Sequence, residues 1–263
     1  MSTRLSYILV AFILLFQSCE LAKLTDPKVN ANVEDEFFIN LKEQLLISNN
    51  RLSFVVSTIE PESCTNATID YSFSRLVSGF KISIKEILIP ADCIEGVAPA
   101  ESEIDLATIS NGVHQFDLDL KNTIKNSGTL EVTDEAYFLS LNSQSGIKIL
   151  NATLYKIPQG TIWGYVIPKN EAVQPIAEQF LTELTGATIA PNLREGYYGA
   201  FRIGDNNVVA IEDQPVDDQL RSFVFDLNGS STSKVIDLIN IYRSNYSDED
   251  LEIKLFDFQG VTY

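Results

Sequence analysis

The residues able to do chemistry are few in kind. His114 is the only histidine, so a Ser-His-Asp triad or a histidine-based metal site would have to be built around it. It shares strand parity with Phe116 and Leu118, which points it toward the interior or rim of a sheet and a structural role. The three cysteines, Cys19, Cys64 and Cys93, include no Cys-x-x-Cys pair, and with one imidazole they leave too few soft ligands for zinc. Carboxylates are plentiful, at 36 against 19 basic residues. Glu212-Asp213, Asp217-Asp218 and Asp248-Glu249-Asp250 form clusters, none in EF-hand spacing, and each reads as solvated surface. A pair of acids acting on a glycosidic bond would come from this pool, but only a fold can bring such a pair together. Trp163 and Tyr165 share one face of a strand, and Tyr197 and Tyr198 sit on a later one with Phe201. Rings so placed can stack on a sugar or a partner, or can form the core face of a sheet beneath helices. The sequence assigns no catalytic residue, no metal and no cofactor, and offers Trp163, Tyr165, Tyr197 and Tyr198 as candidate ligand contacts.

One oxygen-rich stretch has ligand-like spacing. Asp226-Leu-Asn228-Gly-Ser230 follows a strand and precedes a helix, and resembles the Asp-x-Ser-x-Ser metal-ion adhesion motif of von Willebrand A domains. Oxygens at alternate positions can share one face of a loop and hold Mg²⁺. The second position is Asn228, and only thirty-three residues follow Ser230, too few for the rest of that fold. Ser230–Ser233 serves better as a helix N-cap.

The elements that must position these groups fall into two sets. Asp35–Ile47 carries Phe38, Leu41 and Leu45 on one helical stripe and predicts a short amphipathic helix. From Arg51 to Ile157 the period drops to two: Leu52-Phe54-Val56, Ile69-Tyr71-Phe73, Phe80-Ile82-Ile84, Phe116-Leu118-Leu120, Leu130-Val132 and Tyr137-Leu139-Leu141. Turns are expected at Asn126–Gly128 and Asn142–Gly146. Seven or eight short strands at this spacing predict an antiparallel β-sandwich. After Pro158 the pattern alternates strand and helix, with helical stripes from Val173 to Leu184 and from Val235 to Tyr242. That order predicts a small α+β domain, two helices on one face of a sheet, with a ferredoxin-like topology among those it allows. The fold class is mostly β with α+β.

The first nineteen residues supply an address. Arg4 leads into the apolar run Tyr7–Phe16, closed by Gln17-Ser18-Cys19; about ten apolar residues make a secretory leader, whereas a spanning helix needs roughly 20. Phe16-Gln17-Ser18-Cys19 resembles the lipobox of bacterial, Bacteroidetes-style lipoproteins. That resemblance implies cleavage after Ser18, lipid on the Cys19 sulfur and acylation of the new amino terminus. Phe16 and Gln17 depart from the commonest residues of the motif, which leaves ordinary signal-peptidase cleavage open. Each buried methylene contributes about 0.8 kcal/mol, so two or three acyl chains anchor stably.

The organisation expected is a leader over 1–18, a lipidated Cys19 and flexible tether over 19–34, a β-sandwich over 35–157 and an α+β domain over 158–263. With Cys19 lipidated, Cys64 and Cys93 remain in a compartment that permits a disulfide; two separate buried thiols are the alternative. The net charge of −17 repels phosphate backbones and argues against a nucleic-acid partner. The functional expectation is a lipid-anchored envelope protein on the outer membrane that binds an envelope protein or glycan. The alternative is a carboxylate-dependent hydrolase acting on polysaccharide.

Overall fold

Alternation decides the first element. Phe37, Ile39 and Leu41 are buried while Asn40 and Lys42 face outward, and Phe37–Gln44 is strand β1 rather than the amphipathic helix expected there. The helical reading placed Phe38 in the core; it is half-buried on the outer face, with the Lys148 ammonium 5.9 Å from its ring centre. The computed structural model describes residues 33–46, 50–212, 214–227 and 232–263. The expected leader, Cys19 and nearly all of the tether lie outside them. Strands account for 48% and helices for 15%, the mostly-β class expected. Among the described residues no helix is long and apolar enough to cross a membrane.

After β1 come β2 (Arg51–Thr58), β3 (Glu62–Cys64), β4 (Thr68–Leu76), β5 (Gly79–Leu88), β6 (Glu95–Ala98) and β7 (Glu101–Asp105). They are followed by β8 (Gly112–Leu120), β9 (Ile124–Val132), β10 (Ala136–Leu141), β11 (Ile147–Ile149) and β12 (Thr153–Tyr155). Strands β3 and β6 form a ribbon of their own; the rest join in one sheet, in the order β11-β1-β2-β7-β4-β5-β8-β9-β10-β12. Where a two-sheet antiparallel sandwich was expected, a single sheet curls until its inner face closes on itself. Four strand steps separate β2 from β8, about 19 Å in a flat sheet at about 4.8 Å per step. Yet the Phe54 and Phe116 rings lie 5.6 Å apart, with Phe80 packed 5.8 Å from Phe54 and 5.4 Å from Phe116. Three junctions, β1–β11, β4–β7 and β5–β8, are parallel.

The outermost strands of this sheet, β11 and β12, are two halves of one short segment. β11 pairs with β1 and β12 with β10, and only residues 150–152 lie between them. Leu150 N–H donates to the Ile39 carbonyl at 2.9 Å and Leu139 N–H to that of Ala152 at 2.8 Å, so this segment spans from one end of the sheet to the other. The turn expected at Asn126–Gly128 lies inside β9 instead; the chain reverses at Lys121–Asn122, where both residues adopt positive φ. Gly128 is needed for contact rather than for turning: a Cβ there would come within 2.6 Å of the Phe116 ring. Asn126 is buried and holds the next loop by accepting from Ser145 N–H and donating to its carbonyl, at 3.1 and 3.0 Å.

Beyond Pro158 follow β13 (Thr161–Pro168), α1 (Gln174–Ala187), β14 (Gly196–Tyr197), β15 (Phe201–Ile203), β16 (Val209–Ile211), β17 (Arg221–Asp226), α2 (Thr232–Asn245) and β18 (Leu251–Asp257). Pro175 sits in the first turn of α1, where its missing N–H breaks no helical bond. All eight residues of β13 are buried, because it is the middle strand of the antiparallel sheet β17-β13-β18 and is covered on both faces. Ile162 and Val166 pack with Phe180, Leu184, Val235 and Ile239 of the helices. Trp163, Tyr165 and Ile167 pack with Phe201, Ile203 and Ile211 of the separate sheet β14-β15-β16. The ferredoxin-like arrangement is therefore not formed. Large apolar side chains on both faces of β13 require cover on both, and β14-β15-β16 forms a sheet of its own that supplies the second cover.

Two measurements check this account. Phe54→Ala should cost about 3–5 kcal/mol in urea denaturation, since it empties the centre of the curled sheet, whereas Val77→Ser at an exposed tip should stay within about 0.5 kcal/mol. Cys64 and Cys93 are bonded across a Cα separation of 5.5 Å and a sequence separation of 29. Replacing both by Ser should cost about 3–4 kcal/mol on the chain-entropy account, read from the same melts.

Candidate functional site

At the C-terminal end of β1 three sheets meet around a groove of about 420 Å³. Trp163 and Tyr165 come from β13, Lys254 and Phe256 from β18, and Glu212 follows β16. Phe256, half-buried, stacks on Trp163 at 6.0 Å, and Trp163 rests in turn on Phe201 at 5.3 Å. Leu45 and Ile211 complete an apolar floor, while Lys42, Glu212 and Lys254 supply charge at the rim. Tyr165 donates its hydroxyl to Glu252 at 3.2 Å, and Lys169 holds the other oxygen of that carboxylate at 2.7 Å. Burial and the Glu252 charge push the Tyr165 phenol up to about 12, and the Lys169 bond holds Glu252 below the usual carboxylate range.

Glu43 also borders this groove, from inside the curled sheet. It has the parity of Phe37, Ile39 and Leu41, so its carboxyl enters the apolar interior, leaving the residue 8% exposed. Tyr137 donates to Oε1 at 2.7 Å; Oε2 has no partner among the described residues. The Lys156 ammonium lies 4.8 Å from the Tyr137 ring centre and donates to the Thr133 carbonyl at 2.6 Å. Burial raises the Glu43 pKa, outweighing the Tyr137 hydrogen bond, the nearby Asn50 amide and the charge of Lys156, which lower it. Burial and the neighbouring carboxylate raise the Tyr137 phenol as well. A carboxyl so placed retains its proton to higher pH and can donate it.

The candidate ligand-contact aromatics are dispersed. Trp163 and Tyr165 line the groove, while adjacent Tyr197 and Tyr198 point to different cores. Tyr197 enters the curled sheet's core, with the Arg202 guanidinium 5.2 Å from its ring, and Tyr198 stacks on Phe201 at 5.0 Å and meets the tilted Tyr155 ring at 5.3 Å. All four are buried. His114 stands at the rim of the curled sheet, its Nε2 2.8 Å from the Ser110 carbonyl. Asp226 pairs through its backbone with Ile189, while Asn228 and Ser230 lie outside the described residues. No group of three or more His, Cys, Asp or Glu among the described residues could hold a metal ion. Sequence reasoning missed Glu43 by assigning it to a helix. The signal was present: an acid continuing the alternation of three inward apolar residues.

The proton on Glu43 gives a test with a definite sign. In the unfolded chain this carboxyl titrates near 4.5 and in the fold above that, so stability falls as pH rises from 4.5 through the folded value and is level beyond it. Glu43→Gln has no proton to lose. Its melting temperature relative to wild type should therefore climb between pH 4.5 and pH 8; a difference constant over that range would contradict the burial of an ionisable carboxyl. No family model, curated protein or solved structure matches the chain.

Proposed function

We propose that the chain is an exported envelope protein, anchored through lipid on Cys19, whose role is to bind an envelope glycan or a partner protein. The observation that carries the binding role is the groove at the meeting of three sheets. It combines an apolar floor of Phe256, Leu45 and Ile211 with charged groups at its edge. Such a mixture suits a sugar ring, which presents an apolar face and a polar perimeter, and pockets at the junction of structural units are the usual place for ligands. The Cys64–Cys93 bond supports the exported address, since disulfides persist in oxidising compartments. The acidic balance makes nucleic acid an unfavourable partner.

A second reading has Glu43 in its favour: a carboxylate-dependent polysaccharide hydrolase, in which this proton-retaining carboxyl is the general acid and Glu212 of the same groove is the second carboxylate. Two measurements separate these outcomes. Intact mass of the membrane-extracted protein should show a chain starting at Cys19, heavier by its acyl groups and two hydrogens lighter for one disulfide. A different start, or no acyl mass, overturns the anchor. On a glycan panel, the binding reading expects retention without cleavage, reduced about tenfold or more by Phe256→Ala. Turnover abolished by Glu43→Gln would establish the hydrolase instead.

A further inference from the structure

The sheet is incompletely joined at one place. β4 pairs with β5 along its whole length and β7 with β2 along its whole length, but β4 and β7 share only the bridge of Thr68 with Glu101. Beyond that bridge, side chains make the joint. The Ser102 hydroxyl accepts from Ile69 N–H at 3.0 Å and donates to its carbonyl at 2.7 Å. Next, the Tyr71 hydroxyl donates to the Glu103 carbonyl at 3.3 Å, and then the Arg75 guanidinium donates to the Leu106 carbonyl. Serine, tyrosine and arginine are successively longer, so the strands part as a wedge. The Ile69 N–H and carbonyl both face β7, and strand alternation sends those of Tyr71, Phe73 and Arg75 the same way. These groups have no backbone partner on that side among the described residues.

At the wide end lies a cavity of about 500 Å³, bordered by Phe73, Arg75, Leu106, Val113 and His114. No carboxylate lines it, although the chain has 36 acids against 19 bases. Asp105 feels the Arg75 charge, but Arg51 already grips that carboxylate through both of its oxygens. Val77 and Val113 stand exposed at the rim.

We infer that the wedge between β4 and β7 is a docking site for an extended peptide segment of a partner protein. The segment adds as a strand along β4 and sets an acidic residue against Arg75. Only a peptide backbone offers donors and acceptors at the two-residue strand repeat of about 6.8 Å that the bare edge of β4 requires. The acid-free cavity around Arg75 and His114, in a chain otherwise strongly negative, fixes which end of the segment lies there. This inference shares no residue with the groove above and does not rest on it.

The experiment selects a phage-displayed library of random peptides of roughly ten residues on the folded, disulfide-intact chain. Selected peptides should be rich in β-branched and aromatic residues and carry Asp or Glu near one end. Synthetic copies N-methylated at alternate residues should lose binding in one parity and keep it in the other. In wild type, the amides of Tyr71, Phe73 and Arg75 should exchange rapidly when free and slowly when the peptide is bound. Arg75→Ser should weaken the peptide about tenfold, and Arg75→Lys less. Protection of those three amides in the free chain would overturn the proposal. So would failure to select any peptide, equal tolerance of both N-methylation parities, or binding without a change of exchange along β4.

Discussion

Three phenylalanines drawn from three strands of one sheet set the shape of everything around them. Phe54, Phe80 and Phe116 meet at centroid separations of 5.4 to 5.8 Å, although their strands are up to four steps apart. Fully burying an apolar side chain of this size contributes about 1.5–3 kcal/mol, and only a curled sheet can bury all three at once. The curl then dictates much else. Gly128 must lack a side chain for Phe116 to pack against β9, and β1 and β10 must come near enough for one short segment to pair with both. It also turns the C-terminal end of β1 toward the second half of the chain, where the groove forms.

In the second half the constraint is a strand apolar on both faces. β13 has no solvated side, so helices must cover one face and something else the other. The small sheet β14-β15-β16 does this, and its cluster is completed by Leu45, Tyr155 and Ile157 from the first half. Groove and cover are thus the same structure: the aromatic residues that form its floor also hold the two halves against each other. A ligand there touches residues whose packing is already committed, so the floor cannot rearrange without loosening the junction.

How much of this could be read beforehand depended on the range of the interaction. Strands such as Leu52–Val56 and Phe80–Ile84 announced themselves because period two is local, and so did the helices around Phe180 and Ile239. What failed involved partners distant in the chain. Asp35–Ile47 contains both a helical stripe and the alternation Phe37, Ile39, Leu41; the ladder with β2 decides between them, and no local rule contains that ladder. Glu43 was lost with that element. The curl was likewise invisible, since alternation is identical in a sandwich and in one bent sheet. Tyr197 and Tyr198 could be named as notable, but their separation into two cores follows from where β14 lies, which composition does not specify.

The joining of both sheet ends by Ile147–Tyr155 carries a consequence for how the molecule comes into being. That segment is the last part of the curled sheet to be synthesised, and β1, its partner on one side, is among the first. Until it arrives, a growing polypeptide exhibits two bare hydrogen-bonding borders and cannot complete its cylinder, however many hairpins have already zipped. The order of emergence therefore delays closure until about three fifths of the chain exists, keeping the earlier portion threadable during any passage made before synthesis ends.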